Sequence, residues 1–210
     1  MTTFKIGIIG TGWIAERMAE TLTGMEGVEK FAVASRTQKK ADTFAKQWGF
    51  NRSYGSYEAL VNDDDIDLVY IATPHSHHYD NVKMCLLAGR NVLCEKAFTA
   101  NARQAEELIA LAHERNIFLT EAIWTRYQPF RKTISELIDS GIIGNVHQLS
   151  ANLCYPNIDK PRMYLPELAG GALLDIGVYA LNFAAMFFGS DYKIVSSSCQ
   201  LTDTGVDATN

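Results

Sequence analysis

Glu95 and Lys96 close the short apolar run from Asn91 to Cys94, and neither residue type is buried without a partner. Two charges at the end of a core strand mark either a surface ion pair capping that strand or the lip of a cleft. Asp175 and Tyr179 stand four residues apart in GGALLDIGVYALNFAAMFFG, a stretch apolar over most of a helical circumference. That spacing puts both on one helix face, and a polar pair in so apolar a helix needs a partner. A lysine ammonium near a tyrosine favours the phenolate and draws the phenol down from its usual pKa of about 10. Lys96 and Tyr179 are therefore candidates for moving a hydroxyl proton, with Asp175 holding either the lysine or the hydroxyl.

The N-terminus offers a place for a redox cofactor. Gly10, Thr11, Gly12, Trp13, Ile14 and Ala15 form a G-x-G-x-x-A pattern between an expected first strand and first helix. The first glycine permits a tight turn, the second lets backbone approach a pyrophosphate, and the small third residue keeps helix and strand close. The helix start then presents N–H groups and a positive dipole end to phosphates. A site selective for NAD places Asp or Glu about 20 residues further on, against the ribose 2′-hydroxyl. Here Ser35 and Arg36 follow the second strand, with Lys39 and Lys40 a turn later. Such a set favours a 2′-phosphate, with Arg36 forking onto it or stacking on the adenine. NADP is expected over NAD; the alternative is a solvated basic helix start.

Thr73 and Pro74 end the fourth strand, and His75, His77 and His78 follow. Only separations of three or four share a helix face, and no Cys, Asp or Glu completes a ligand shell, so no metal is expected. His78 is expected to hydrogen-bond within the crevice. Thr73, His78, Glu95 and Lys96 thus join Gly10, Thr11, Gly12, Trp13, Ile14, Ser35, Arg36 and Lys40 as candidate cofactor contacts. Cys85, Cys94, Cys154 and Cys199 have no C-x-x-C spacing, so reduced, mostly buried thiols are expected.

Charge and hydropathy exclude other classes. Acidic residues outnumber basic ones 24 to 19, and no Lys/Arg block could track a phosphate backbone, so nucleic acid is not an expected partner. No run approaches the roughly 18 uninterrupted apolar residues of a membrane span. The N-terminal apolar run is broken by glycines and lacks a basic leader. A cytoplasmic protein without a membrane partner is expected.

The candidate residues need elements to position them. Apolar strands are expected at Phe4 to Ile9, Phe31 to Ala34, Arg52 to Tyr54, Asp67 to Ala72, Asn91 to Cys94 and Ile117 to Thr120. Helical spacing is expected at Trp13 to Leu22, Gln38 to Trp48, Ser56 to Val61, His77 to Ala88 and Asn101 to Arg115. Strands alternating with helices in this way indicate parallel βαβ units in a doubly wound α/β sheet. Ligands bind outside the carboxyl ends of such strands, which is where Glu95 and Lys96 fall. Residues 1–122 form this dinucleotide-binding domain. Residues 123–210 begin a different α+β domain. It holds a helix from about Pro129 to Ser140, a strand from Val146 to Cys154, a Pro- and Tyr-rich loop over 155–169, the apolar helix, and a strand from Tyr192 to Leu201.

GTGWIA, TPHSHH, CEKAFTAN and GGALLDIGVY together resemble the Gfo/Idh/MocA oxidoreductase family. FLTEAIWTRYQP and the tyrosine at 179 resemble most its dimeric dihydrodiol dehydrogenase and NADP-dependent D-xylose dehydrogenase branch. The resemblance implies a Rossmann domain, a catalytic pair at Lys96 and Tyr179 with Asp175 beside them, and a substrate pocket that includes Trp124 with Arg126 near it. It also implies a sugar, polyol or cyclic diol as substrate and a homodimer built on a large open C-terminal sheet, of which this chain holds part. Ala97 stands where the family usually has proline. The rival readings are a non-catalytic NAD(P)-binding sensor or interaction protein of the same fold, and a methyltransferase, which would want an acidic residue after the second strand.

Overall fold

The computed structural model describes residues 3–156 and 160–210. The chain divides into two compact units, Met1–Ala122 and Ile123–Asn210.

In the first unit, six parallel strands lie in the order β3-β2-β1-β4-β5-β6. They are β1 (Phe4–Ile9), β2 (Val28–Ala34), β3 (Arg52–Tyr54), β4 (Leu68–Ile71), β5 (Asn91–Glu95) and β6 (Leu119–Ala122). The helices between them are α1 (Trp13–Thr23), α2 (Gln38–Trp48), α3 (Tyr57–Val61), α4 (His78–Leu87) and α5 (Ala102–Arg115). This is a doubly wound Rossmann sheet whose strand order reverses between β1 and β4. Local chemistry sets several boundaries. Ser56 accepts from the Ala59 amide and Asn101 from the Gln104 amide, each capping the helix that follows. Gly49, in left-handed backbone, ends α2.

Strand alternation produces two cores, one on each face of the sheet. Ile9, Val69, Ile71, Val92 and Cys94 pack with Leu60, Val82, Leu86 and Leu108 on one side. Ile6, Ile8, Val33 and Tyr70 pack with Ala15, Ala19, Leu22 and Phe44 on the other. Ile8 and Ile9 are both fully buried though adjacent, which requires helices on both faces; each contributes about 2 kcal/mol. The strong burial leaves function to the strand ends. Registers Ile9↔Ala34, Ile9↔Ile71, Ile71↔Cys94 and Glu95↔Ala122 align those ends along one edge.

The second unit holds a 3-10 turn (Trp124–Tyr127), α6 (Pro129–Asp139), α7 (Pro161–Tyr164), a 3-10 turn (Pro166–Leu168), a π-helical turn (Leu173–Gly177) continuing into α8 (Val178–Phe188), and a hairpin of β7 (Gln200–Leu201) with β8 (Asp207–Thr209). Asp207 accepts from the Leu173 amide at 2.6 Å, tying the hairpin to the start of the apolar helix.

Several expectations are corrected. β6 begins two residues later than Ile117, because Asn116 adopts left-handed backbone and Ile117 bonds back to Ala112, closing α5 instead of opening a strand. Val146 to Cys154 forms no strand, and of Tyr192 to Leu201 only the last two residues pair. Alternation alone does not make a strand; its backbone groups need a ladder partner, and none pairs with these segments among the described residues. The expected loop over 155–169 contains α7 and the second 3-10 turn, and residues 157–159 of it lie outside the described residues.

Pro166–Phe188 is long and apolar enough to cross a membrane by length and composition, with an 18-residue window of mean hydropathy 1.6, although Glu167, Asp175 and Asn182 interrupt its apolar run. Its backbone has positive φ at Ala169 and Gly171 and widens into the π turn. It also carries the ion-paired Asp175. Only 17% of that window is buried.

Candidate active site

The cofactor edge of the first unit starts at the glycine turn. Gly10 has φ +109°, and a Cβ there would lie 2.7 Å from the Ala72 carbonyl oxygen. Only glycine fits, because β1 and β4 approach each other at this point. At Gly12 an added Cβ would meet no protein atom within 4 Å, so this glycine keeps backbone accessible from outside. Gly12 is also the N-cap of α1 and offers no side-chain cap. The first amides of a helix lack intrahelical partners, so the turn suits a pyrophosphate. Ala15 is fully buried, while Trp13 is 68% exposed with Arg17 over its ring; Ile14 is half-buried.

At the end of β2, buried Ser35 exchanges a 3.2 Å hydroxyl contact with Thr11. This ties the strand end to the glycine turn. Arg36, Lys39 and Lys40 are exposed just beyond. Thr11, Thr37, Lys39, Lys40 and Phe44 line a surface hollow of about 550 Å³.

At the end of β4, Thr73 is buried, and its hydroxyl accepts from Asn81 at 3.0 Å. His78 is fully buried, with Nδ1 2.7 Å from the Ala97 carbonyl oxygen and Nε2 2.8 Å from that of Thr73. Both ring nitrogens face main-chain carbonyls in the interior. Burial pushes its pKa below the usual histidine range, against the pull of the carbonyls. His75, His77 and His78 cannot converge on a metal, since His78 is committed to the backbone.

At the end of β5, Glu95 and Lys96 are both partly buried. The Glu95 carboxylate accepts from the Tyr70 hydroxyl and, at 3.2 Å, from the Lys96 amide. Burial raises its pKa, outweighing those hydrogen bonds and the charge of Lys96. The peptide between Lys96 and Ala97 is cis. Phe98 donates its amide to Glu121 on β6 at 2.9 Å. Cys94, next to this edge, is held as a thiol by burial, and burial pushes Cys85 up to about 12, so neither is a nucleophile. Cys154 and Cys199 are exposed, which corrects the expectation of mostly buried thiols.

The second unit gathers the remaining candidates. Trp124 donates Nε1–H to the Tyr179 hydroxyl oxygen at 2.9 Å, and the rings meet edge to face with centroids 5.9 Å apart. Arg126 donates Nε–H to Asn182 at 2.9 Å. Asp175, its side chain 5% exposed, is ion-paired with Arg162. Trp124, Arg126 and Tyr179 are thus drawn together through α8, with Asn182 one turn after Tyr179. Arg162 and Asn182 were not singled out from the sequence. Asn182 has a signal, its three-residue spacing from Tyr179; Arg162 has none, since its partner lies across a turn-rich segment.

Comparison with known proteins agrees with this geometry. The family model described as "Oxidoreductase family, NAD-binding Rossmann fold" matches residues 4–122, and that of the "GFO/IDH/MocA C-terminal domain" matches residues 132–209. The chain is 42% identical over 208 residues to a trans-1,2-dihydrobenzene-1,2-diol dehydrogenase of Xenopus laevis, covering 98% of this chain and 63% of the relative. It is 43% identical over 203 residues to a D-xylose 1-dehydrogenase (NADP(+)) of Hypocrea jecorina, covering 86% of this chain and 52% of the relative. Among solved structures, the 3-ketoreductase KijD10 of Actinomadura kijaniata, in complex with NADP and TDP-benzene, superposes with a TM-score of 0.77 at 33% identity, over 90% of this chain and 58% of that one. The chain therefore spans little more than half the length of the proteins it matches. With the glycine turn, the strand-end charges and both domain matches in place, the chain belongs to the Gfo/Idh/MocA oxidoreductase family.

Proposed function

We propose that the protein is an oxidoreductase that prefers NADP and moves hydride between nicotinamide and the carbinol carbon of a sugar, polyol or cyclic diol. The observation that carries this reading is the row of strand ends in the first unit. Gly10 and Gly12 follow β1, Ser35 and Arg36 follow β2, and Lys96 follows β5, all on one edge. The accessible backbone at Gly12 and the uncapped helix start suit the pyrophosphate, and Ser35 with Arg36, Lys39 and Lys40 suits a 2′-phosphate. The absence of an acidic side chain at Ser35 and Arg36 favours NADP over NAD. The names of the relatives supply the substrate class: a cyclic diol and a pentose.

In this reading Tyr179 takes the hydroxyl proton of the substrate as its C–H bond yields hydride. Lys96 orients the substrate oxygen and stabilises charge that develops on it. The bound cofactor supplies the hydride acceptor at its nicotinamide ring. Trp124 donates to the Tyr179 oxygen through one lone pair and, with Tyr179 acting as the phenolate, leaves another lone pair to receive the substrate proton. Arg126 orders Asn182 beside the substrate, and Asp175, through Arg162, orders the helix start that carries Tyr179. A lysine and a tyrosine are also the residues replaced in variants of the ketoreductase. A homodimer in the cytoplasm completes the reading.

Incubating the protein with NADP and a panel of aldopentoses, polyols and trans-cyclic diols tests it. Substrate-dependent formation of reduced nicotinamide is expected. Cofactor binding without turnover on any member of the panel would favour a sensor instead.

A further inference from the structure

The backbone beside Lys96 is held by side chains at three successive positions. The Lys96 amide donates to Glu95 at 3.2 Å, the Ala97 carbonyl lies 2.7 Å from His78 Nδ1, and the Phe98 amide donates to Glu121 at 2.9 Å. The last two belong to a single peptide unit. Its planar carbonyl and amide point in opposite directions, so His78, from the start of α4, and Glu121, from β6, grip one rigid plate from two sides. Holding both ends fixes the orientation of the plate, and Lys96 is separated from it by Ala97 alone. The other nitrogen of His78 lies 2.8 Å from the Thr73 carbonyl; the neutral ring has a single N–H, so the tautomer that donates from Nδ1 holds the Ala97 carbonyl.

We propose that His78 and Glu121 are positioning residues for Lys96, acting through the Ala97–Phe98 peptide. The inference rests on the assignment of Lys96 to catalysis. A role in stability alone would require only that the loop be anchored somewhere; a clamp on the peptide next to the lysine sets where the ammonium stands. A displacement of about an ångström at a catalytic group is costly in rate while leaving cofactor affinity alone.

The experiment compares Glu121→Ala with Glu121→Gln, which keeps an acceptor, and His78→Asn with His78→Gln. The Asn amide reaches about as far as Nδ1, toward Ala97, and the Gln amide about as far as Nε2, toward Thr73. Amide exchange at Phe98, read by NMR, needs no turnover. Glu121→Ala is expected to speed it about tenfold or more, and Glu121→Gln to keep it within about threefold of the unsubstituted protein. In the turnover assay, Glu121→Ala and His78→Gln are expected to lose about tenfold or more in kcat with the NADP Kd within about twofold, while Glu121→Gln and His78→Asn retain most activity. Unchanged Phe98 exchange in Glu121→Ala overturns the clamp, as does faster exchange with full kcat. Equal losses in His78→Asn and His78→Gln overturn the contact to Ala97. A protein that never turns over defeats the functional reading instead, and the exchange result then decides the clamp by itself. Should Glu121→Ala fail to fold, by circular dichroism, the His78 pair decides.

Discussion

Trp124 and Tyr179 meet in two ways, through an Nε1–H···O bond of 2.9 Å and through an edge-to-face ring contact. The bond fixes the phenol oxygen, and the ring contact fixes the plane in which it lies. Trp124→Phe keeps the ring and removes the donor. Loss of one neutral hydrogen bond, about 1 kcal/mol, predicts roughly a fivefold drop in kcat with the NADP Kd unchanged. Steady-state kinetics and a cofactor titration check it, and an equal loss in NADP affinity would place Trp124 outside the role assigned to it.

Gly10 and Gly12 are two residues apart and predict opposite outcomes. Gly10→Ala puts a Cβ 2.7 Å from a backbone oxygen at positive φ, and a destabilisation of about 2–4 kcal/mol follows. Gly12→Ala meets nothing and costs only about 1 kcal/mol through the poorer N-cap of α1, yet it blocks the approach of the pyrophosphate and weakens NADP binding. Urea unfolding and cofactor titration of both variants separate the two effects.

Arg36 carries the cofactor preference. Arg36→Leu removes a charge-assisted contact of about 1.5–3 kcal/mol, so NADP affinity falls about tenfold or more while NAD affinity hardly changes. Ser35→Asp adds the carboxylate that a ribose 2′-hydroxyl prefers and is expected to turn the preference toward NAD. Dissociation constants for both cofactors, measured on the unsubstituted protein and the two variants, give the answer.

Glu95 links the site to stability. Burial raises its carboxyl pKa above the ordinary 4.5, so the folded protein holds this proton more tightly than the unfolded chain does. The stabilising contribution is complete below the unfolded pKa and is lost as pH rises through the folded value. Glu95→Gln keeps an acceptor for Tyr70 and has no charge to desolvate. Its urea midpoint is expected to exceed that of the unsubstituted protein at neutral pH, with the gap closing toward about pH 4. A gap that widens in acid would contradict the burial argument.

Most of the first unit was legible because its signals are local. The boundaries of β1 and α2 follow from the hydropathy period and from Gly49, and the caps at Ser56 and Asn101 follow from single side chains. The second unit was less legible because strands there depend on distant partners. Val146 to Cys154 alternates as a strand does yet has no partner among the described residues. At the site, residue types identified Lys96 and Tyr179 as candidates, but not that His78 turns both nitrogens inward or that Arg162 reaches Asp175. Those contacts are set by tertiary packing, and no spacing rule encodes them.

Reduction of NADP by the best substrate of the panel, followed in Lys96→Met alongside the cofactor Kd, tests the central claim most directly. Methionine fills a similar volume without the charge. Turnover is expected to fall by about a thousandfold or more, the scale of losing a main transition-state contact, with NADP affinity within about threefold. Undiminished turnover in Lys96→Met would contradict the account.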